Sequence, residues 1–211
     1  MAKDYHIKGF NTPQMAKIAD HYRKLLGVEN AEHVSIVELI EFELRKHYEG
    51  FRLVVKADKD LVDPAHTDFE NNQIVVKESI YVSAHEGDTY SRMILAHELG
   101  HYLLHGKRGN VVMHKSKDGS YDSIKGLNST ESTEDQADMF ATLFMVKPSI
   151  AFSLKDNAAD LSKACGVPTK IANSAISAAK RDSLRSLTQK PQQRFLDKYL
   201  KHIDPDDPSL V

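Results

Sequence analysis

Tryptophan is absent from the 211 residues and cysteine occurs once, as Cys165. A lone cysteine makes neither an internal disulfide nor a cysteine-rich metal cage, so any bound metal must be held by nitrogen and oxygen donors. Long apolar runs are also missing. The most apolar stretch, Met139–Val146, is far short of the ~20 residues that a bilayer crossing needs. The opening MAKDYHIKGF lacks the hydrophobic segment of a secretion signal. A soluble, unexported, cytoplasmic protein with no membrane partner is the expectation. Glycine (10) and proline (7) are modest and no internal repeat is evident, which excludes collagen-like, coiled-coil and disordered chains. What remains is ordinary globular material, 41% apolar and 27% charged, long enough for one core with a smaller appended unit.

The net charge of −2 is unevenly spread, since Lys155–Lys201 carries ten Lys/Arg against four Asp/Glu. A basic C-terminal third suits an acidic or polyanionic partner, and equally a solvated helical face.

Asn11, Thr12 and Pro13 open a helix whose apolar positions Met15, Ile18, Ala19, Tyr22 and Leu25 recur at helical spacing up to Gly27. A second helix is predicted over Val37–Leu44, closing near Gly50. Short β-type runs follow at Phe51–Val55, Gln73–Lys77 and Ile80–Ser83, predicting a small, mostly antiparallel sheet. Asp88 or Thr89 caps a helix to about His105 that is apolar nearly all round and so belongs inside the protein. The segment from Gly106 to Thr130 reads as a long loop of the kind that carries function or moves. A further helix starts between Asn128 and Ser132, carries ADMFATLFMV and stops before Pro148.

Within the buried helix lies His97-Glu98-Leu99-Gly100-His101. Residues four apart stack on one helix face, so His97 and His101 can present both imidazoles to one cation, with Glu98 about 100° round and able to reach a water there. Two histidines and a carboxylate on an apolar helix must otherwise find partners or shift their pKa, and a metal satisfies both rings at once. Catalytic zinc needs a third protein ligand and an open position. A third histidine at 107 is excluded, because that position is Lys107 and position 104 is Leu104. The downstream Glu134-Asp135-Gln136-Ala137-Asp138 offers a carboxylate instead. Glu134 is the expected ligand, and Asp138, one turn on, the expected acceptor from the other ring N–H of His97. Small Ala137 and Ala141 suit close helix packing, while Glu131 and Asp135 fit a solvent-facing first turn. His105 continues the spacing but sits ~12 Å along the axis from His97, too far to share one ion. It is expected behind the ligands or at the helix end, with a substrate contact as the lesser reading. His114, Tyr121 and Tyr102 are candidate donors to a developing oxyanion, Tyr102 being expected in the core.

The run YSRMILAHELGHYLLH followed by EDQADMFATLFMVKP resembles the ImmA/IrrE family of metallo-endopeptidases over roughly residues 70 to 180. The resemblance implies an α+β, gluzincin-like zincin fold with zinc held by His97, His101 and Glu134. It also implies Glu98 as general base and Asp138 behind a ligand. It further implies a protein substrate, an XRE-type helix-turn-helix repressor of a phage, mobile element, toxin–antitoxin or stress operon. The MVKP ending and the long Lys/Gly/Ser loop depart from the family pattern. The loop makes a plausible gate to the site.

Leu161–Pro168, followed by Ile171, Ala175 and Ile176, reads as helix, glycine turn and helix, and resembles the helix-turn-helix-like segment of that family. DNA is the weaker partner reading, since Asn173 is the lone residue suited to a base edge. Cys165 falls on a core position and is expected to be inert. The chain is accordingly divided into a metallopeptidase domain (1–150), a helical unit (151–203) and a disordered tail (204–211). The competing reading is a regulatory protein that keeps the metal and binds a repressor or DNA without cutting it. Cysteine- or serine-nucleophile chemistry has no support.

Overall fold

A computed structural model of the chain describes residues 9–106 and 132–186, with side chains to residue 181. Helix α1 (Thr12–Leu25) begins with a reciprocal cap: Gln14 N–H donates to Asn11 Oδ1, and Asn11 N–H donates back to Gln14 Oε1, both at 3.0 Å. Its buried face is the periodic set Met15, Ile18, Ala19 and Tyr22. The second predicted helix is one continuous run of α2 (Ile36–Glu38), a π-helical turn (Leu39–Glu43) and α3 (Leu44–His47).

The sheet has three strands, β1 (Arg52–Lys56), β2 (Ala65–Asp68) and β3 (Gln73–Lys77), in the order β1-β3-β2. The β2–β3 pair is antiparallel, with Thr67 opposite Ile74, whereas β1–β3 is parallel, with Val54 opposite Val75. This corrects the mostly antiparallel expectation. The reason lies in burial: β3 is the most apolar strand, with Ile74, Val75 and Val76 all buried, and it takes the centre between two half-exposed neighbours. The predicted strand Ile80–Ser83 is instead part of helix α4 (Glu78–His85). Its first turn is held from a distance, because Ser79 N–H donates to Asp58 Oδ1 at 3.0 Å. The Ser79 side chain and this backbone N–H together hold the Asp58 carboxyl below its ordinary range.

Helix α5 (Thr89–His105) is capped by Asp88, whose carboxylate accepts from Ser91 N–H at 2.7 Å. It buries Leu95, Ala96, Leu99, Leu103 and Leu104 on several sides, as its near-continuous apolarity requires. Helix α6 (Thr133–Met145) starts at Ser132, whose hydroxyl accepts from Asp135 N–H at 3.1 Å. Helices α5 and α6 pack directly on one another, α5 also touches β2 and β3, and α6 packs on α1. Tyr22 of α1 fixes that stack by donating its hydroxyl to Leu103 O at 3.2 Å and by meeting Phe140 edge to face. The buried guanidinium of Arg23 donates to Phe144 O and Ala31 O, so it serves carbonyls at the end of α6 and in the turn after α1.

Helix α7 (Pro148–Ser153) follows, then α8 (Ala158–Cys165) and α9 (Thr169–Ser186), joined at Gly166 in the left-handed conformation (φ 62°). Arg92, on the first turn of α5, donates to Gly166 O and Val34 O at 2.9 Å each, which ties the Gly166 turn to α5. Leu161, Cys165, Val167, Ala172 and Ala175 belong to the same hydrophobic cluster as α5 and α6. No helix among the described residues is long and apolar enough to cross a membrane.

Candidate metal centre

The centre exists because two helix backbones come within contact distance. A Cβ built on Gly100 would lie 3.1 Å from Ala137 O, 3.2 Å from Ala137 Cα and 3.2 Å from Phe140 Cδ1. Only hydrogen at position 100, facing small Ala137, lets α5 and α6 sit this close. That contact brings the first turn of α6 up beside the second half of α5.

The histidines four apart on α5 then meet the carboxylate of α6. Nε2 of His97 and Nε2 of His101 are 2.9 Å apart, and each is 3.3 Å from an oxygen of Glu134. His97, His101 and Glu134 are the metal-competent cluster among the described residues. A four-coordinate ion with bonds of about 2.0–2.1 Å holds its ligand atoms about 3.3 Å apart, so these separations fit one ion without rearrangement. Two imidazoles and one carboxylate are the donors that the described residues supply, one short of a four-coordinate ion.

Behind His97, the Nδ1–H donates to Asp138 Oδ1 at 2.7 Å. Asp138 is one turn along α6 from Glu134 and largely exposed, its side chain 74% accessible. Burial disfavours charge on His97, yet hydrogen bonds to Asp138 and Glu134 and the charges of Asp138 and Glu98 outweigh it and lift His97 to about 10. Hydrogen bonds from His101 and His97 hold the Glu134 carboxyl well below the usual carboxylate range. The site therefore favours positive charge at the point where the three ligands converge.

Glu98 is buried beside the pair, and Thr67 Oγ1 donates to its Oε2 at 2.8 Å while lying 3.0 Å from its backbone oxygen. Thr67 sits on edge strand β2, a short strand that no sequence signal marked. Tyr102 is buried and donates to Asn72 Oδ1 at 2.7 Å, between Tyr48 and Phe51, so it turns away from the centre as expected of a core residue. His105 is also buried, its Nδ1 3.0 Å from Nδ1 of His101. Burial and the neighbouring His101 push its pKa down to about 3. The ring lies behind His101, at the nitrogen opposite the one that meets His97 and Glu134. His114 and Tyr121, like most of the predicted gating loop and the 204–211 tail, lie outside the described residues.

Sequence reasoning overlooked Thr67 and Gln136 and did not assign Gly100 its packing role. For Gly100 a signal existed, since a glycine inside a helix costs ~1 kcal/mol against alanine and calls for a packing reason. Neither of the other two carries any local mark.

No curated protein matches the chain. The family model described as the IrrE N-terminal-like domain, Peptidase_M78, matches residues 53–173, which is more than half the chain and runs from β1 through the centre into α9. The two helices, their HELGH turn and the facing glutamate all lie inside that span, and the chain belongs to this metallopeptidase family.

Proposed function

We propose that the protein is a zinc-dependent endopeptidase that cuts a protein substrate in the cytoplasm. The observation that carries this reading is the set of ligand atoms of His97, His101 and Glu134, 2.9–3.3 Å apart, with the carboxylate of Glu98 on the next residue of the same helix. In the proposed site His97, His101 and Glu134 hold the metal. Bound zinc supplies Lewis acidity toward the scissile carbonyl and toward a water. Glu98 takes a proton from the attacking water and delivers it to the leaving amine. Asp138 holds the His97 ring in the tautomer whose Nε2 faces the metal.

An extended peptide is the substrate form the surroundings suit. Strand β2 pairs only with β3 among the described residues, and in this reading its second edge presents backbone groups beside Glu98 to the peptide. Within this reading the substrate is an XRE-type helix-turn-helix repressor, where a single cut would switch transcription irreversibly.

A docking reading has one feature in its favour. Lys170, Asn173, Ser174, Ser177 and Arg181 line a shallow polar groove on α9, the helix that would face DNA or an acidic partner. Glu98→Gln separates the two readings. Co-expressed with an XRE-type repressor, taken from the neighbouring gene if one is encoded there, the wild-type chain should yield a repressor fragment, and the Glu98→Gln variant should yield none while retaining one zinc per chain. Equal fragment from both, or an intact repressor that is inactivated equally by both, would sink the peptidase reading.

A further inference from the structure

His101 faces two ways. Its Nε2 points to His97 and Glu134, and its Nδ1 lies 3.0 Å from Nδ1 of His105. An imidazole that gives one nitrogen to a metal carries its only proton on the other. With Nε2 on the metal, His101 must donate from Nδ1, and the group 3.0 Å away must accept. His105 accepts through Nδ1 only when its own proton sits on Nε2. That Nε2 is sealed from solvent and makes no regular hydrogen bond of its own. The side chain set against this ring is Gln136, fully buried on α6. An amide oxygen is the acceptor that a buried ring N–H needs.

We propose that His105 and Gln136 form a buried neutral hydrogen-bond chain behind His101 that fixes the tautomer in which His101 binds the metal. The chain is the counterpart of Asp138 behind His97, and it rests on the metal reading given above. It also assigns both residues a place in the sequence of contacts: Gln136 orients His105, His105 orients His101, and neither touches substrate. They are positioning residues. Proton direction is set throughout by the ligand, since only one placement of the two ring protons, on His101 Nδ1 and His105 Nε2, leaves every donor an acceptor.

The test uses the full chain, stripped of metal and titrated with Zn2+ against a chromogenic chelator, with the Co2+ absorption spectrum as a second readout. His105→Phe should weaken zinc binding by about 10- to 100-fold, the range found when a partner behind a ligand is removed. Gln136→Leu should weaken it by several-fold to about tenfold, and Gln136→Glu, which keeps an acceptor at the same place, should restore the affinity. The Co2+ spectrum should shift in His105→Phe and Gln136→Leu and return in Gln136→Glu. Folding is followed by thermal melting, and Gln136→Leu decides the matter if His105→Phe does not fold. Variants that melt at lower temperature yet bind zinc as tightly as wild type, with an unchanged Co2+ spectrum, would show a merely structural role and overturn the proposal. A wild-type chain that takes up no zinc would overturn the metal reading itself, and the proposal with it.

Discussion

Two helix junctions in this chain depend on a glycine, and they put it to different use. At α5–α6, Gly100 has ordinary helical geometry, and what it provides is the absence of a side chain where two backbones meet at about van der Waals contact. At α8–α9, Gly166 has φ 62°, and a Cβ there would lie 2.8 Å from His33 Nε2 and 3.0 Å from Arg92 Nη2. The first junction converges ligands, because side chains from both helices reach one point. The second joins a helix pair to the body through Arg92 and leaves a solvated polar stripe on α9. Chemistry has accumulated where backbones touch. Where they are only tied, the structure gains attachment and a polar surface.

The comparison is broken most severely by Gly100→Val. The added β-branched side chain meets Ala137 backbone and the Phe140 ring, neither of which can turn aside. A loss of about 3 kcal/mol is expected from overpacking, together with loss of bound zinc in whatever folds. Denaturant titration and metal analysis of the purified protein measure the two effects. Wild-type zinc content in a folded Gly100→Val protein would mean that convergence does not depend on the close approach.

Glu134→Gln spares the packing and removes only the anionic ligand. Zinc affinity should fall by more than ~100-fold, beyond the range for partners behind a ligand, with little change in the midpoint of unfolding of the stripped protein. A small affinity change would show that α6 contributes shape and no ligand.

Gly166→Ala should act in the opposite sense. A left-handed φ costs a non-glycine residue ~1–2 kcal/mol, and here the new methyl also crowds the Arg92 guanidinium. Stability is expected to drop by about 2 kcal/mol while the folded fraction binds zinc with wild-type affinity. If zinc affinity fell in step with stability, the two junctions would be one cooperative device reaching through α5, and the distinction drawn between them would fail.

The contrast also explains which parts of the molecule were legible in the sequence. Helices α5 and α6 announce themselves through caps at Asp88 and Ser132 and through long apolar periodicity. His97, His101 and Glu134 were legible because helical spacing is local and imidazole pairs are chemically distinctive. Strand β2 was not, since Ala65–Asp68 is four residues with one buried side chain. Helix α4 was misread because Ile80, Tyr81 and Val82 favour strands, while the group that holds its first turn, Asp58, lies about twenty residues upstream. The parallel β1–β3 pairing and the Thr67–Glu98 contact are likewise settled by tertiary packing, which no local window contains.

The smallest effect is expected on the polar stripe of α9. Lys170 and Arg181 both line the groove, and exposed charges away from caps and buried partners contribute within about ±0.5 kcal/mol. The double substitution Lys170→Ala with Arg181→Ala should therefore leave stability, zinc content and the proposed Glu98-dependent cleavage unchanged. Cleavage assayed at low and at high salt gives the sharper reading, because any steering of an acidic substrate by these charges is a salt-sensitive rate effect. A drop in cleavage confined to low salt would assign α9 a part in substrate capture. A drop at both salt concentrations would mean that the stripe contacts substrate directly, and the second junction would then carry function of its own.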